Sequence, residues 1–384
     1  MTRRISWREA SARRLERQFL ANPLAAGTGG PEEIVAAMLG THAQVPSAAE
    51  MSVGIRAEGM TRTAVRAALA QDRSLVRTHG PRGTVHLLPA RELPLWTAAL
   101  TAIPSGRSPF PPDIRLTGEQ AAQVVTAVGE ALDGVCLTLE ELDEQVVART
   151  GPWAGDRVMP AFQDLWPRWR QVLHRAGQSG ALCFGPNRGR KVTYTRPPRF
   201  DPLPPAEALR RLLLRYLTAY GPATPQDFAK WLAAPSGWAV GLFEEALGEA
   251  AVEEVLFEGR RAWVAAGDTG FPAEPVRGVR LLPYFDAYVI AAQPRELLFP
   301  GAAQGRALAG GQAGNFPVLL VDGVVAGVWH QRRRGRRTTV TVEPLDRLTA
   351  RRTRELGERA ERVGEVLEAT AELVIGEVRT GAHA

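Results

Sequence analysis

The sequence predicts an α+β chain, mostly α, made of three tandem winged-helix motifs, a β-rich C-terminal part and a final helix. Three observations carry this reading. Helical runs are followed three times by two short extended runs around a glycine-containing turn, at 74–88, 181–195 and 252–265. After Ala265 the helical spacing gives way to apolar, β-branched stretches. A charged amphipathic run, 349–375, closes the sequence. The expected divisions are 1–117 for the N-terminal helices and first motif, 118–200 and 201–278 for the second and third, and 279–384 for the remainder.

Residues 3–19 alternate apolar and basic side chains at helical spacing and break at Asn22-Pro23. The run 31–39 opens with Pro31 and carries Glu32 and Glu33 in its first turn, favourable for the helix dipole. Helices are expected over 48–56 and 61–71, with Thr61 as N-cap of the latter. Extended runs at 74–78 and 84–88 flank His79-Gly80-Pro81-Arg82-Gly83. In the second unit, 119–132 reads as a helix, and Thr138 with Glu141 has capping-box spacing at the start of another. A third helix, rich in Trp and Arg, is expected over 159–177, before a wing at 181–184 and 191–195. The Pro-rich stretch 197–205 marks a boundary. Helices over 206–220, 224–232 and 238–247 then precede a hairpin, 252–257 with 260–265. Beyond it, 279–290 and 316–328 read as strands, the second with an Asp322-Gly323 turn, and 338–342 alternates cleanly.

The 384 residues, 45% of them hydrophobic, suffice for two or three cores. The net charge of +6 suits an anionic partner without requiring one. Lys191 and Lys230 are the only lysines among 47 basic side chains, so the positive charge is arginine, the better residue for bidentate phosphate contact. Cys136 and Cys183 offer no disulfide framework or metal spacing. With no signal peptide or membrane-length apolar run, a cytoplasmic protein without membrane contact is expected.

The linker Gly40-Thr41-His42-Ala43-Gln44-Val45-Pro46 separates two helices, with glycine and proline as stop signals. His42 and Gln44, two residues apart in extended backbone, can face the same way. Each both donates and accepts hydrogen bonds when neutral, so together they can hold a water. The plain alternative is a solvated helix connection. At the other end, His330-Gln331-Arg332-Arg333-Arg334-Gly335-Arg336-Arg337 lies between two strands as a basic hairpin finger. Such a finger can enter a groove, with His330 and Arg332, Arg333, Arg334, Arg336 and Arg337 as candidate DNA contacts, or stay a solvated loop. No histidine has a carboxylate or thiol at ligand spacing, and no nucleotide-binding loop or nucleophile elbow is present. Neither metal nor cofactor is therefore expected. Asp286, inside an apolar strand, reads as a structural, hydrogen-bonded carboxylate.

Several stretches share a further pattern. Leu39-Gly40-Thr41-His42-Ala43-Gln44, Arg82-Gly83-Thr84-Val85-His86-Leu87, the run from Tyr220 to Phe228, Leu282-Pro283-Tyr284-Phe285-Asp286-Ala287-Tyr288, and Asp322-Gly323 through Trp329 occur in one collinear order. The sequence resembles the AlkZ/YcaQ-like winged-helix DNA glycosylases across nearly its whole length. The resemblance implies winged helices around a basic duplex channel, with a β-hairpin probing a groove. It also implies a catalytic signature of glutamine, an apolar residue, then glutamine or aspartate. Gln44 matches the second catalytic position. His42 stands at the first and departs from the commoner glutamine, as in members associated with self-resistance to DNA-alkylating antibiotics. The activity implied is monofunctional hydrolysis of the N-glycosidic bond of bulky alkylated purines, N7-modified guanine foremost, in double-stranded DNA. Separately, a monomer is expected. Neither lysine matches a catalytic position, so no lyase step is expected. The competing class is a non-catalytic winged-helix regulator or adduct sensor.

Overall fold

The computed structural model describes residues 2–104, 106, 108–161 and 164–383. It is a mixed α/β structure whose helices alternate with small sheets.

A short strand, Arg4–Ile5, precedes the helix Trp7–Arg17, which starts in a Ser6–Glu9 capping box. Helices Pro31–Ala37, Pro46–Gly54 and Arg62–Ala70 follow, the last capped by Thr61 as expected. The hairpin Leu75–His79 and Val85–Pro89 gains a third strand, Thr41–His42, which sets Thr41 opposite Leu87 and His42 opposite His86. In the second group, Gly118–Ala131 and Leu139–Thr150 are helical, and Thr138 with Glu141 forms the expected capping box.

The helix expected over 159–177 does not form. Arg157–Pro160 and Leu165–Pro167 pair as a hairpin, 168–172 is a 3₁₀ turn, and only Leu173–Gln178 is α-helical. Phe162 and Gln163 of that stretch lie outside the described residues. Pro167 supplies the reason. It has no N–H for a helical bond and its ring collides with the preceding turn, so an α-helix cannot run through it. The hairpin Cys183–Phe184 with Thr193–Thr195 closes on Leu137–Thr138.

Helices Pro205–Tyr220, Pro225–Leu232 and Ser236–Gly248 lead into the hairpin Val252–Phe257 with Arg260–Ala265, whose first strand pairs in parallel with Arg4–Ile5. One apolar cluster joins Leu39, Leu88, Trp96 and Leu100 to Leu212, Tyr216, Tyr220, Phe228 and Trp231, so the first and third helix groups share a core.

A five-stranded sheet makes up the C-terminal part: Val279–Leu282, Val318–Val321, Val324–Arg334, Arg337–Pro344 and Thr370–Ile375. The Asp322-Gly323 turn appears as expected, both residues at positive φ. Two expectations fail here. The strand beginning at 279 ends at Leu282, and Asp286 caps a short helix, Ala287–Ala291, instead of lying within a strand. Pro283 cannot extend the hydrogen-bond ladder, and the carboxylate accepts from Tyr288 N. The final helix is Ala350–Leu367, not a run to 375. Glu368 turns left-handed, and the alternating Thr370–Ile375 pairs in parallel with Arg337–Pro344. Leu356, Val363 and Val366 of that helix cover one face of the sheet. The N-terminal helix and the 252–265 hairpin share the core on its other side, through Val255, Phe257, Leu320 and Val328.

Candidate active site

The linker between Pro31–Ala37 and Pro46–Gly54 is shaped before its side chains matter. Leu39 and Gly40 both adopt positive φ, and a Cβ on Gly40 would lie 2.9 Å from Leu88 Cδ2, so glycine is required. Two residues of the 205–220 helix satisfy the carbonyls at the end of the 31–37 helix. Arg215 donates to Ala36 O at 3.0 Å, and the Tyr220 hydroxyl donates to Met38 O. Ala43 N then donates to Val85 O at 2.7 Å, and Pro46 opens the next helix.

This backbone puts the two candidate side chains at different depths. His42 is 7% exposed, whereas Gln44 is exposed. Phe285 stacks on the imidazole at 4.6 Å and 27°, and His86 meets it edge-on at 5.2 Å. His42 Nδ1 is buried without a hydrogen-bond partner. Burial, with the charges of Arg82 and His383 adding to it, pushes the His42 pKa down to about 4. The ring is therefore neutral at ordinary pH. Burial also holds His86 well below its usual range. Its Nδ1 lies 2.8 Å from the Thr84 carbonyl, which can only accept, so that nitrogen carries the proton.

Behind the linker lies a buried ion pair that sequence reasoning does not find. Asp286, 0% exposed, binds Arg56 through both carboxylate oxygens at 2.7 and 2.8 Å and accepts from Ser52 Oγ at 2.6 Å. Asp286 is thus the structural carboxylate expected, although its place in the fold differs. Its partner Arg56 does not stand out in the sequence, and the neighbouring Phe285 appears there only within the 282–288 stretch, with no role of its own. An arginine two residues past the end of an apolar helix is the available signal for Arg56.

The basic finger forms as a two-stranded tip. Arg332 faces Thr339, Arg333 faces Thr338 and Arg334 faces Arg337, around a turn at Gly335, φ 59°. Arg332, Arg333, Arg334, Arg336 and Arg337 are exposed, and His330 at its base is half-buried. None of the five arginines forms an ion pair among the described residues, although Arg333 Nε donates to Gly335 O at 2.9 Å. Nor do the described residues contain a cluster of His, Cys, Asp or Glu able to hold a metal, or a helix long and apolar enough to cross a membrane.

The model of the AlkZ-like DNA glycosylases matches residues 35–366. The chain belongs to this family. It is similar to an interstrand DNA cross-link repair glycosylase of Streptomyces sahachiroi, 32% identical over 345 residues that cover 85% of this chain and 88% of that protein. The solved structure of Streptomyces sahachiroi DNA glycosylase AlkZ superposes with a TM-score of 0.76 at 28% identity, covering 97% of this chain and all of that one. These matches decide for an enzyme over a non-catalytic regulator. In this glycosylase the linker and the Tyr284–Asp286 turn meet at the stacked pair His42 and Phe285.

Proposed function

We propose that this glycosylase hydrolyses the N-glycosidic bond of bulky alkylated purines in duplex DNA, N7-alkylguanine foremost, and that Gln44 and His42 direct the attacking water. We read its helix groups and hairpins as winged helices along a basic duplex channel, divided near 117, 200 and 278, with the arginine finger probing a groove. The cross-link repair named for the Streptomyces sahachiroi relative supports including interstrand crosslinks among its substrates. Self-resistance to an alkylating natural product is the role we propose from the histidine at position 42.

The observation that carries this reading is the linker itself. An exposed amide follows a buried, neutral imidazole at the two positions matching the family's catalytic signature. The chemistry suits so mild a pair. N7 alkylation leaves a positive charge on the base, so it departs without strong protonation by an acid. What remains is to aim water at the anomeric carbon of an oxocarbenium-like sugar. The Gln44 amide oxygen accepts a hydrogen bond from one water O–H, and the neutral His42 ring has the lone pair that takes the other proton as the C–O bond forms. The base leaves with the electrons of the broken C–N bond. Lys191 is paired with Glu140 at 3.4 Å and Lys230 is exposed, and the hydrolysis proposed here needs neither as a Schiff base.

The test is mass spectrometry of bases released from a duplex carrying one defined N7-alkylguanine. Stoichiometric release of the intact adducted base is expected. A shifted gel band with no released base would sink the reading.

A further inference from the structure

A buried imidazole is ordinarily oriented by a hydrogen bond from the ring nitrogen that does no chemistry. His42 has no such bond. Its Nδ1 is buried and unpartnered, and no side chain or carbonyl among the described residues bonds the ring. Its orientation therefore comes from packing, and the packing has two walls. His86 presents an edge and is itself fixed through Thr84 O. Phe285 supplies the face, with 4.6 Å between centroids.

Phe285 is held more firmly than a half-buried aromatic needs to be. Its backbone is left-handed at φ 54°, an uncommon state for a bulky residue. Its N–H donates to Gly314 O at 2.8 Å, and a Cβ at Gly314 would lie 3.2 Å from its ring. The next residue is Asp286, locked onto Ser52 and Arg56. Both partners belong to the helix that follows the linker, or to its end. One ion pair thus ties the segment carrying His42 and Gln44 to the residue that stacks on His42. The ring of His383, from the C-terminal tail, meets Phe285 edge-on at 5.4 Å.

We propose that Phe285, fixed by the Arg56–Asp286 pair, is a positioning residue that sets the orientation of the His42 imidazole during base excision. This rests on His42 being a catalytic group. The charged and titratable groups around that ring are Arg82, His86 and His383.

The experiment is a double-mutant cycle read by single-turnover base release from an N7-alkylguanine duplex, with duplex affinity and thermal midpoint measured alongside. Phe285→Leu is expected to slow release by about tenfold or more at unchanged affinity and midpoint, and Phe285→Tyr to restore it. In a His42→Gln background the same Phe285→Leu change should cost less than about twofold, because the ring it positions is gone. The His42 imidazole resonance, assigned by its loss in His42→Gln, should titrate higher in Phe285→Leu as water reaches the ring. Equal losses in both backgrounds, or an unmoved titration, would overturn the proposal. Parent-like release by His42→Gln would instead overturn the catalytic reading of His42, and the resonance would still report on the Phe285 packing.

Discussion

At the linker an exposed amide, Gln44, follows a buried imidazole, His42, by two residues, and in the proposed function the two have different roles. Gln44 can meet the duplex directly, so Gln44→Ala should lower base release by about a hundredfold while duplex Kd moves less than about twofold. Release within twofold of the parent would remove Gln44 from the chemistry. For His42 the sign follows from its protonation. The neutral ring is the accepting form, and its pKa lies at about 4 in the free protein. Single-turnover rate should then be flat from pH 8 to 6 and fall as pH drops toward that value, while His42→Gln stays flat throughout. Phosphates of bound DNA favour imidazolium, so the limb can move up in the complex. A rate that rises on acidification would point instead to an imidazolium pairing with phosphate.

At the scale of elements, the Arg332–Arg337 tip projects from strands whose inner halves, Val325, Val328 and Val340 among them, lie in the core. Neutralising its five arginines should weaken duplex binding and reduce the log–log salt slope by about 0.9 for every phosphate that the tip no longer neutralises. An unchanged slope would mean that the tip faces away from DNA. This finger is legible in the sequence because its charge run sits between alternating strands, and so are the caps at Thr61 and Thr138, where hydroxyl and carboxylate spacing is local. Elements decided by distant partners are not. Thr370–Ile375 continues a charged helical run, and only its pairing with Arg337–Pro344 makes it a strand. At 159–177 the Trp and Arg spacing suggests a helix that Pro167 forbids. Candidate site residues within one linker can be read from sequence; Arg56, and the stacking of Phe285 on His42, are set by tertiary packing and cannot.

For the whole molecule, burial of histidine has a cost in acid. His42 and His79 are pushed down to about 4, and His86 lies well below its usual value, chiefly by desolvation. In the unfolded chain each titrates near 6.5. Between those values the unfolded state binds more protons, so stability is full above 6.5 and is lost as pH falls toward 4. The slope is at most about 1.4 kcal/mol per pH unit for each group. A urea midpoint lower at pH 5 than at pH 7 is expected, and equal midpoints would contradict the burial of these rings. Long-range ties hold the same structure together. Arg362 donates to Gly54 O, Ala57 O and Met60 O, and the buried Arg14 donates to Gly221 O, Pro222 O and Gln293 O.

Arg14 also sets a timetable for synthesis. The helix Trp7–Arg17 leaves the ribosome well before its partners: the carbonyls that receive its arginine lie as far along as Gln293, and the strand before it waits for Val252–Phe257. At translation speeds of about 5–20 residues per second, that wait is roughly 15–60 s. Through that interval Trp7 and Leu15 are without their final neighbours. The nascent chain thus carries an amphipathic helix with an unseated apolar face through that interval, the stretch over which a chaperone has most to shield.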